Sequence, residues 1–213
     1  TERFRPVPDR RALRAALGWP PDRPLVLAGA QSVDDERKGT RWLIEAWPQV
    51  RAPGGVRPQR AFFGQRDASF DVGEALYLGS IRDEALLRLY YAAADVFVLP
   101  SLADNLPNTL LESLACGTPC VAFDVGGCPE AVRPGVTGFT APAKDAAALA
   151  ASINRILAMS ADAYGRLRDD CRRVAIEDYA HSRQARRYGE LFAELVSARG
   201  PGTVKPQATE SRT

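Results

Sequence analysis

Two carboxylates and a helix start mark the part of the sequence best suited to chemistry. Asp104 and Glu112 stand eight positions apart within residues 95–119. An apolar run, Val96 to Leu99, precedes them, and a short helix is predicted to start near Asn108. In open α/β sheets, ligands bind outside the carboxyl ends of the strands, where a helix N-terminus can face an anion. The two carboxylates therefore flank a place where backbone N–H groups would meet a phosphate.

Glu112 has two interpretations that the sequence leaves open. The stretch from Thr109 to Glu112 has the spacing of a capping box, in which Glu112 folds back onto the start of its own helix. Alternatively, Glu112 accepts hydrogen bonds from a pair of ribose hydroxyls, because a carboxylate offers two acceptor oxygens to a vicinal diol. One oxygen could serve each role.

Asp104 and Lys38 also have purely structural alternatives. Asp104 stands before Pro107 in a polar stretch and could simply shape a turn. Lys38 lies in the loop after the first predicted strand and could be a solvated charge. In a phosphate site, Lys38 would instead neutralise the leaving group as a point charge. Gly126-Gly127, after the fifth predicted strand, either forms a turn or lets a ligand approach the backbone.

Short apolar runs alternate with helical patterns along most of the chain. Strands are predicted at 25–28, 61–63, 75–78, 96–99, 120–123 and 136–139, and helices at 10–17, 40–50, 83–94, 145–159, 161–179 and 182–198. This alternation predicts βαβ units around a parallel sheet. We expect an α/β domain with a Rossmann-like, doubly wound sheet over residues 1–198, ending in C-terminal helices. Residues 199–213 have almost no apolar content, which predicts a disordered tail.

Composition narrows the classes of function. The chain has 213 residues, 46% of them hydrophobic, and a net charge of +2, so nothing global indicates a nucleic-acid partner. It contains no run of 18 apolar residues and starts without the apolar core of a signal peptide. A first residue of Thr rather than Met suggests a fragment or a processed chain. The arginines between 166 and 187 are interpreted as a solvated helical face, with contact to anionic lipid as the alternative.

The four cysteines stand at 116, 120, 128 and 171. Three of them lie among small and apolar residues, which favours buried free thiols in a reducing cytoplasm over a metal or redox site. His181 alone could add an imidazole ligand. No metal is expected.

Several motifs in order resemble one family. The most specific is Pro100-Ser101 through Pro119, similar to a carboxylate-x7-carboxylate motif that ends in Ala-Cys-Gly-Thr-Pro. Supporting motifs are Arg37-Lys38-Gly39, Leu89 to Asp95, Gly126-Gly127-Cys128-Pro129-Glu130 and Thr137-Gly138. From about Phe4 to Leu157 the chain resembles the C-terminal, donor-binding half of a retaining GT-B glycosyltransferase of family 4. The variant Asp104 to Thr109 looks most like bacterial enzymes of exopolysaccharide, capsule or lipopolysaccharide synthesis.

The resemblance implies a role for each matching position. Lys38 would stabilise the diphosphate leaving group, Asp104 would hold hydroxyls of the transferred sugar, and Glu112 would bind the ribose. The remaining positions implied for donor binding are Arg37, Asn105, Leu106, Pro107, Asn108 and Thr109, with Gly126, Gly127 and Glu130 as further candidates. The implied reaction is glycosyl transfer with retention, without a cofactor or a bound metal.

The resemblance also implies partners and a location. The donor would be a nucleotide sugar, UDP- or GDP-linked, and the acceptor a glycan or a lipid-linked molecule. The protein would be cytoplasmic, with peripheral contact at the inner face of the membrane as a further expectation. The last helices would pack on the donor domain or return to an N-terminal acceptor domain that precedes Thr1.

The usual arginine about five residues before Lys38 is absent, with Ala30 or Gln31 near that place, and two positions of the donor loop also depart from the family pattern. Asp104 stands where the family usually has Glu, and Pro107 stands at a usual Gly position, which removes one N–H donor. Both departures bear on which sugar is accepted. The alternatives are a GT-B-like sugar-nucleotide epimerase, a glycan phosphorylase, or a non-catalytic nucleotide-sugar binding module. The histidine pattern of the first and the pyridoxal lysine of the second are not evident.

Overall fold

The computed structural model of the protein describes residues 2–198. Its contacts divide the chain into two compact units, with the boundary between Tyr179 and Ala180. The domain predicted over residues 1–198 thus divides after Tyr179. The tail predicted at 199–213 lies outside the described residues.

The first unit alternates strands and helices. Its elements are α1 (Arg10–Ala16), β1 (Leu25–Ser32), α2 (Thr40–Ala46), β2 (Gln59–Gln65), β3 (Leu76–Tyr77), α3 (Glu84–Ala93), β4 (Val96–Leu99), α4 (Asn108–Ala115), β5 (Cys120–Phe123), α5 (Cys128–Ala131), β6 (Gly138–Ala141), α6 (Ala146–Leu157) and α7 (Ala161–Tyr179). Single 3-10 turns lie at Glu36–Lys38, Trp47–Gln49 and Pro53–Gly55. Aspartates set three of the α-helix starts, because Asp9, Asp83 and Asp145 accept hydrogen bonds from the first-turn N–H groups of α1, α3 and α6.

All six strands pair in parallel, in the order β3-β2-β1-β4-β5-β6. This order is that of a doubly wound sheet, and it confirms the predicted Rossmann-like fold. Residues that alternate along a strand point to opposite faces, so Phe97 and Val98 of β4 enter different core layers. Helices α3 and α4 contribute to one layer, and α2 and α6 to the other. The central strands β4 and β5 are apolar and buried throughout because both faces of the sheet are covered there.

A carboxylate at the start of β4 joins α1 to the sheet. Asp95 Oδ1 and Oδ2 accept hydrogen bonds from Arg10 Nη2 at 2.7 Å and Arg14 Nη2 at 2.6 Å. Asp95 Oδ2 also accepts from the N–H of Leu25 at 2.7 Å. The Arg14 side chain is only 7% exposed, so its charge depends on this partner.

The structure differs from the predicted elements in two places that matter for the site. The Gly126-Gly127 turn leads into α5, a helix of four residues that is too short to show a hydrophobic period. Tyr91 of α3 is fully buried, although the helical pattern predicts an apolar side made of Leu86, Leu87, Leu89, Tyr90 and Ala93. The Tyr91 ring packs on the sheet, whereas the neighbouring Tyr90 stacks on Trp19 at 5.2 Å between ring centroids.

The second unit is described through α8 (His181–Ala198). Side chains 181–197 are exposed, and five of them form an apolar stripe: Tyr188, Leu191, Phe192, Leu195 and Val196. Tyr188 and Phe192 stack on each other, one helical turn apart, with 6.2 Å between ring centroids. In the described residues of both units, we find no helix with the length and apolar content that a membrane span requires.

Candidate functional site

Loops from three adjacent strands meet at the carboxyl edge of the sheet. They follow β1, β4 and β5, and they contain Lys38, Asp104 and Gly126-Gly127 respectively. The strand order reverses between β1 and β4, and ligands of doubly wound sheets bind at this switch point. The fold therefore gathers the predicted residues at the expected edge.

The loops after β1 and β4 are joined through their backbones. The N–H of Leu102 donates to the carbonyl oxygen of Arg37 at 2.7 Å. A Cβ atom at Gly39 would lie 1.9 Å from the carbonyl oxygen of Pro100. Since that distance is far below van der Waals contact, a residue without a side chain is needed there. The left-handed φ of Gly39, +65°, adds to this requirement.

Lys38 and Asp104 form an ion pair across the two loops. Lys38 Nζ donates to Asp104 Oδ2 at 2.8 Å, and the side chains are 27% and 17% exposed. Lys38 is thus a partly buried, paired ammonium rather than a fully solvated charge. Asp104 likewise does more than shape a turn, because its carboxylate is the acceptor for this ammonium.

The structure places Arg37 differently. Its Nη2 atom donates to Asp35 Oδ2 at 2.8 Å, and its side chain is 76% exposed. The hydrogen bond to Asp35 raises the pKa of the Arg37 guanidinium. Arg37 is therefore not brought into the Lys38–Asp104 pair.

Gly126 and Gly127 hold the backbone of the loop that carries Asp104. A Cβ atom at Gly126 would lie 1.8 Å from the carbonyl oxygen of Asp104, and one at Gly127 would lie 1.8 Å from that of Asn105. The N–H of Gly127 also donates to the Asp104 carbonyl oxygen at 3.3 Å. The sequence predicted either a turn or a close approach by a ligand at these glycines. Neither interpretation included their contact with the loop that carries Asp104.

Pro107 sets the start of α4. It occupies the N-cap position with φ −66°, and none of the side chains in residues 2–197 caps this helix. The capping-box interpretation of Glu112 was wrong, because α4 begins at Asn108, whereas a box with its N-cap at Thr109 would start the helix two residues later, at Leu110. The first N–H groups of α4 are left for solvent or for a ligand.

The other predicted positions of this loop differ in exposure. Asn105 and Asn108 are exposed, and Thr109 is half-buried. Leu106 packs against the apolar core and Pro107 is buried. Glu130 is exposed on α5, where its carbonyl oxygen accepts from the Tyr179 hydroxyl at 2.9 Å. The polar contacts available to a ligand therefore come from the exposed asparagines and from the backbone.

Glu112 bonds a side chain that the sequence did not indicate. Its Oε2 atom accepts a hydrogen bond from the Tyr91 hydroxyl of α3 at 3.1 Å. Burial raises the pKa of the Glu112 carboxyl, and the hydrogen bond from Tyr91 opposes that change. The spacing of Leu87 and Tyr91, one helical turn apart, was a signal that Tyr91 could face inwards. The bond itself depends on how α3 and α4 pack.

Two cavities lie away from these residues. One of about 560 Å³ lies at the carboxyl ends of β1, β2 and β3, lined by Ser32, Asp34, Gln65, Arg66, Asp67, Tyr77 and Ser80. Another of about 370 Å³ lies beside α7, lined by Pro6, Gly117, Arg168, Asp169, Arg172, Arg173, Ile176 and Glu177. Lys38, Asp104 and Glu112 line neither cavity. The candidate site is distinct from both cavities.

All four cysteines are free and buried, as the sequence predicted. Burial raises the pKa of the Cys116 and Cys120 thiols to about 12 and that of Cys128 to about 11. The pKa of Cys171 is also raised by burial. Such thiols are inert as nucleophiles near neutral pH.

Comparisons with known proteins agree with the fold and the motifs. The sequence pattern of the family described as "Glycosyl transferases group 1" matches residues 23–159. D-inositol 3-phosphate glycosyltransferase of Streptomyces bingchenggensis (strain BCW-1) is 32% identical over 177 residues, covering 74% of this chain and 38% of that protein. The chain thus spans less than half the length of this curated relative.

Solved structures extend the comparison to the fold. Sucrose-phosphate synthase from Thermosynechococcus elongatus has a TM-score of 0.76 and 32% identity, covering 92% of this chain and 51% of that one. Anabaena Alr3699/HepE, solved in complex with UDP and glucose, has a TM-score of 0.73 and 20% identity, covering 92% and 54%. The first neighbour carries the GT-B fold of glycosyltransferases, and the second shares the fold. With the family pattern matching more than half of its residues, this chain belongs to the group 1 glycosyl transferases.

Proposed function

We propose that the chain is the donor-binding half of a retaining glycosyltransferase, with a nucleotide sugar as donor. The Lys38–Asp104 ion pair carries this proposal. It places an ammonium and a carboxylate 2.8 Å apart at the switch point of the sheet. A nucleotide sugar presents complementary groups, since its diphosphate attracts the cation and its sugar hydroxyls can donate to the carboxylate.

In this proposal, donor binding exchanges the partners of the pair. Lys38 Nζ moves its hydrogen bonds to a diphosphate oxygen, and Asp104 accepts hydrogen bonds from sugar hydroxyls. As the glycosidic bond to the diphosphate breaks, negative charge grows on the leaving oxygen. Lys38 and the uncapped N–H groups of α4 lie ready to stabilise that charge, which is a preorganised electrostatic role.

Glu112 would anchor the nucleotide rather than take part in bond breaking. It lies in the second turn of α4, four residues after Asn108. Its Oε2 atom is already engaged by Tyr91, which leaves Oε1 to accept from the ribose hydroxyls. Such an interaction binds the ground state and the transition state equally, so its loss should appear mainly in affinity.

UDP or GDP is the proposed nucleotide of the donor. UDP and glucose are present in the HepE complex, a fold neighbour of the chain. The proposed reaction retains the anomeric configuration and uses no bound metal. The acceptor is proposed to be a glycan or lipid-linked molecule, in polysaccharide synthesis at the cytoplasmic side of a membrane, and it would bind a second domain.

Calorimetric titration of the 213-residue chain with UDP-, GDP- and ADP-sugars tests this proposal. We expect binding to donors of one base, and a loss of affinity of about tenfold or more in Glu112→Gln because a charge-assisted hydrogen bond is removed. Glu74→Gln, an exposed carboxylate outside the site, should bind like the wild type. Absence of binding to every donor would refute the proposal, and so would unchanged affinity in Glu112→Gln.

A further inference from the structure

One buried hydroxyl links the helix before β4 to the helix after it. Tyr91 of α3 is fully buried, and its hydroxyl donates to Glu112 Oε2 of α4 at 3.1 Å. We propose that Tyr91 is a positioning residue for nucleotide binding, which fixes the Glu112 carboxylate so that Oε1 is presented to the ribose. This inference rests on the proposed function, because it requires Glu112 to bind the nucleotide.

The Tyr91 ring is held by its surroundings on several sides. It makes edge-to-face contacts with Phe97, Phe63 and Phe4, at centroid distances of 5.2, 5.7 and 6.1 Å. Its backbone oxygen accepts a hydrogen bond from Thr118 Oγ1 at 2.7 Å. Because rings packed in this way keep one rotamer, the hydroxyl has a fixed position before any ligand arrives.

Leaving the buried Tyr91 hydroxyl without a partner would cost free energy, and this cost favours one orientation of the Glu112 side chain. If Glu112 turned away, the Tyr91 hydroxyl would lose its acceptor at a cost of about 1–3 kcal/mol. The carboxylate is therefore held in one orientation in the free protein. Ligand binding then loses less side-chain entropy than it would with a mobile glutamate.

The same bond changes the ionisation of Glu112. The charged and titratable groups that interact with Glu112 are Tyr91 and Glu84 of α3 and Cys116 at the C-cap of α4. Burial and the Glu84 charge raise the pKa of Glu112, and the Tyr91 hydrogen bond lowers it. Removing the hydroxyl should raise that pKa further. Nucleotide affinity should then begin to fall at a higher pH than in the wild type, because the protonated carboxyl is the weaker acceptor.

The test is a calorimetric titration of the 213-residue chain with UDP and with GDP, repeated across the acidic to neutral pH range. Tyr91→Phe keeps the ring contacts and removes only the hydroxyl. We expect the better-bound nucleotide to bind about 3- to 10-fold more weakly, the range for one net hydrogen bond. The pH at which affinity falls should rise in Tyr91→Phe, and this fall should be absent in Glu112→Gln. Tyr90→Phe is the matched control and should bind like the wild type.

A double-mutant cycle separates positioning from general damage to the fold. In the Glu112→Gln background, Tyr91→Phe should change affinity less than it does in the wild type. Equal effects in both backgrounds, or an unchanged pH profile, would overturn the inference, and so would wild-type affinity in Tyr91→Phe. In each case, weakened binding by Glu112→Gln would leave the proposed function standing. Absence of nucleotide binding by the wild type would refute both.

Discussion

Lys38 Nζ donates a 2.8 Å hydrogen bond to Asp104 Oδ2, although the two residues lie 66 positions apart in the sequence. The two groups that would act on different parts of a donor thus neutralise each other in the free protein. To separate the pair, a ligand must offer an anionic acceptor to the Lys38 ammonium and a hydroxyl donor to the Asp104 carboxylate. A bare inorganic phosphate supplies mainly the first, and a nucleotide sugar supplies both.

Replacing Lys38 tests this relationship directly. Lys38→Met removes the ammonium and leaves the Asp104 carboxylate to repel the diphosphate. We expect nucleotide affinity to fall about tenfold or more, as for loss of a charged hydrogen bond. Arg37→Met is the matched control, because Arg37 bonds Asp35 and is 76% exposed, and it should change affinity by about twofold or less. Equal losses in the two variants, measured by calorimetry, would contradict the assigned roles.

Glu112→Gln should weaken nucleotide binding without lowering the stability of the fold. Burial raises the folded-state pKa of Glu112, so the folded protein holds this proton more tightly than the unfolded chain. Stability is therefore lost as pH rises from the ordinary Glu value of about 4.3 through the raised pKa, and the loss is complete above it. The neutral amide that Glu112→Gln introduces avoids this penalty.

Thermal unfolding near neutral pH should accordingly show Glu112→Gln to be as stable as the wild type or more so. The difference should shrink near pH 4, where the wild-type carboxyl is itself protonated. Glu74→Gln, at an exposed position, should change the free energy of unfolding by about 0.5 kcal/mol or less. A clear destabilisation by Glu112→Gln at neutral pH would show that the charged form is favoured in the fold.

Gly126→Ala should displace the loop that carries Asp104. The new methyl group would lie 1.8 Å from the Asp104 carbonyl oxygen, so the two loops must separate. We expect a loss of about 2–4 kcal/mol in the free energy of unfolding, from the left-handed φ together with the clash, and weaker nucleotide binding.

Gly135→Ala provides the comparison for this substitution. Its φ is +76°, but among residues 2–198 no atom outside Gly135 and its two chain neighbours lies within 4 Å of the added Cβ. It should cost only about 1–2 kcal/mol and leave affinity unchanged. Chemical denaturation and calorimetry measure the two quantities, and matching losses at both glycines would argue against the loop contact.

Asp95→Asn should be among the most destabilising single changes outside the site. It removes the charge that two arginines share and leaves the buried Arg14 guanidinium uncompensated. Breaking such a pair costs about 3–5 kcal/mol. Asp22→Asn breaks the Arg11–Asp22 pair, in which both side chains are about 70% exposed, and should cost about 0.5 kcal/mol or less. Urea denaturation curves of the two variants decide between these outcomes.

The fold was predictable because its signals are local. The strands at 25–28, 96–99 and 120–123 are short apolar runs, and α7 has the bounds that its pattern predicted. The placement of Lys38 and Asp104 at one edge followed from the rule for parallel sheets. The sequence could therefore place residues 36–39 and 100–104 at the same edge of the sheet before their contacts were known.

The parts that sequence analysis missed depend on packing between distant segments. Tyr91 and Glu112 meet only because α3 and α4 pack on the same face of the sheet. Gly126 touches the Asp104 backbone through the pairing of β4 with β5. The capping box at Thr109 is a local pattern that was wrong, since the backbone around Pro107 starts the helix earlier.

The burial of all four native thiols has a practical consequence for spectroscopy. With pKa values of about 12, 12 and 11 for Cys116, Cys120 and Cys128, and a raised pKa for Cys171, the thiols stay protonated and sealed from reagents. Ala103 is exposed next to Asp104. An Ala103→Cys variant could therefore carry a maleimide fluorophore in an otherwise unchanged chain, and its emission would report in real time when a donor separates Lys38 from Asp104.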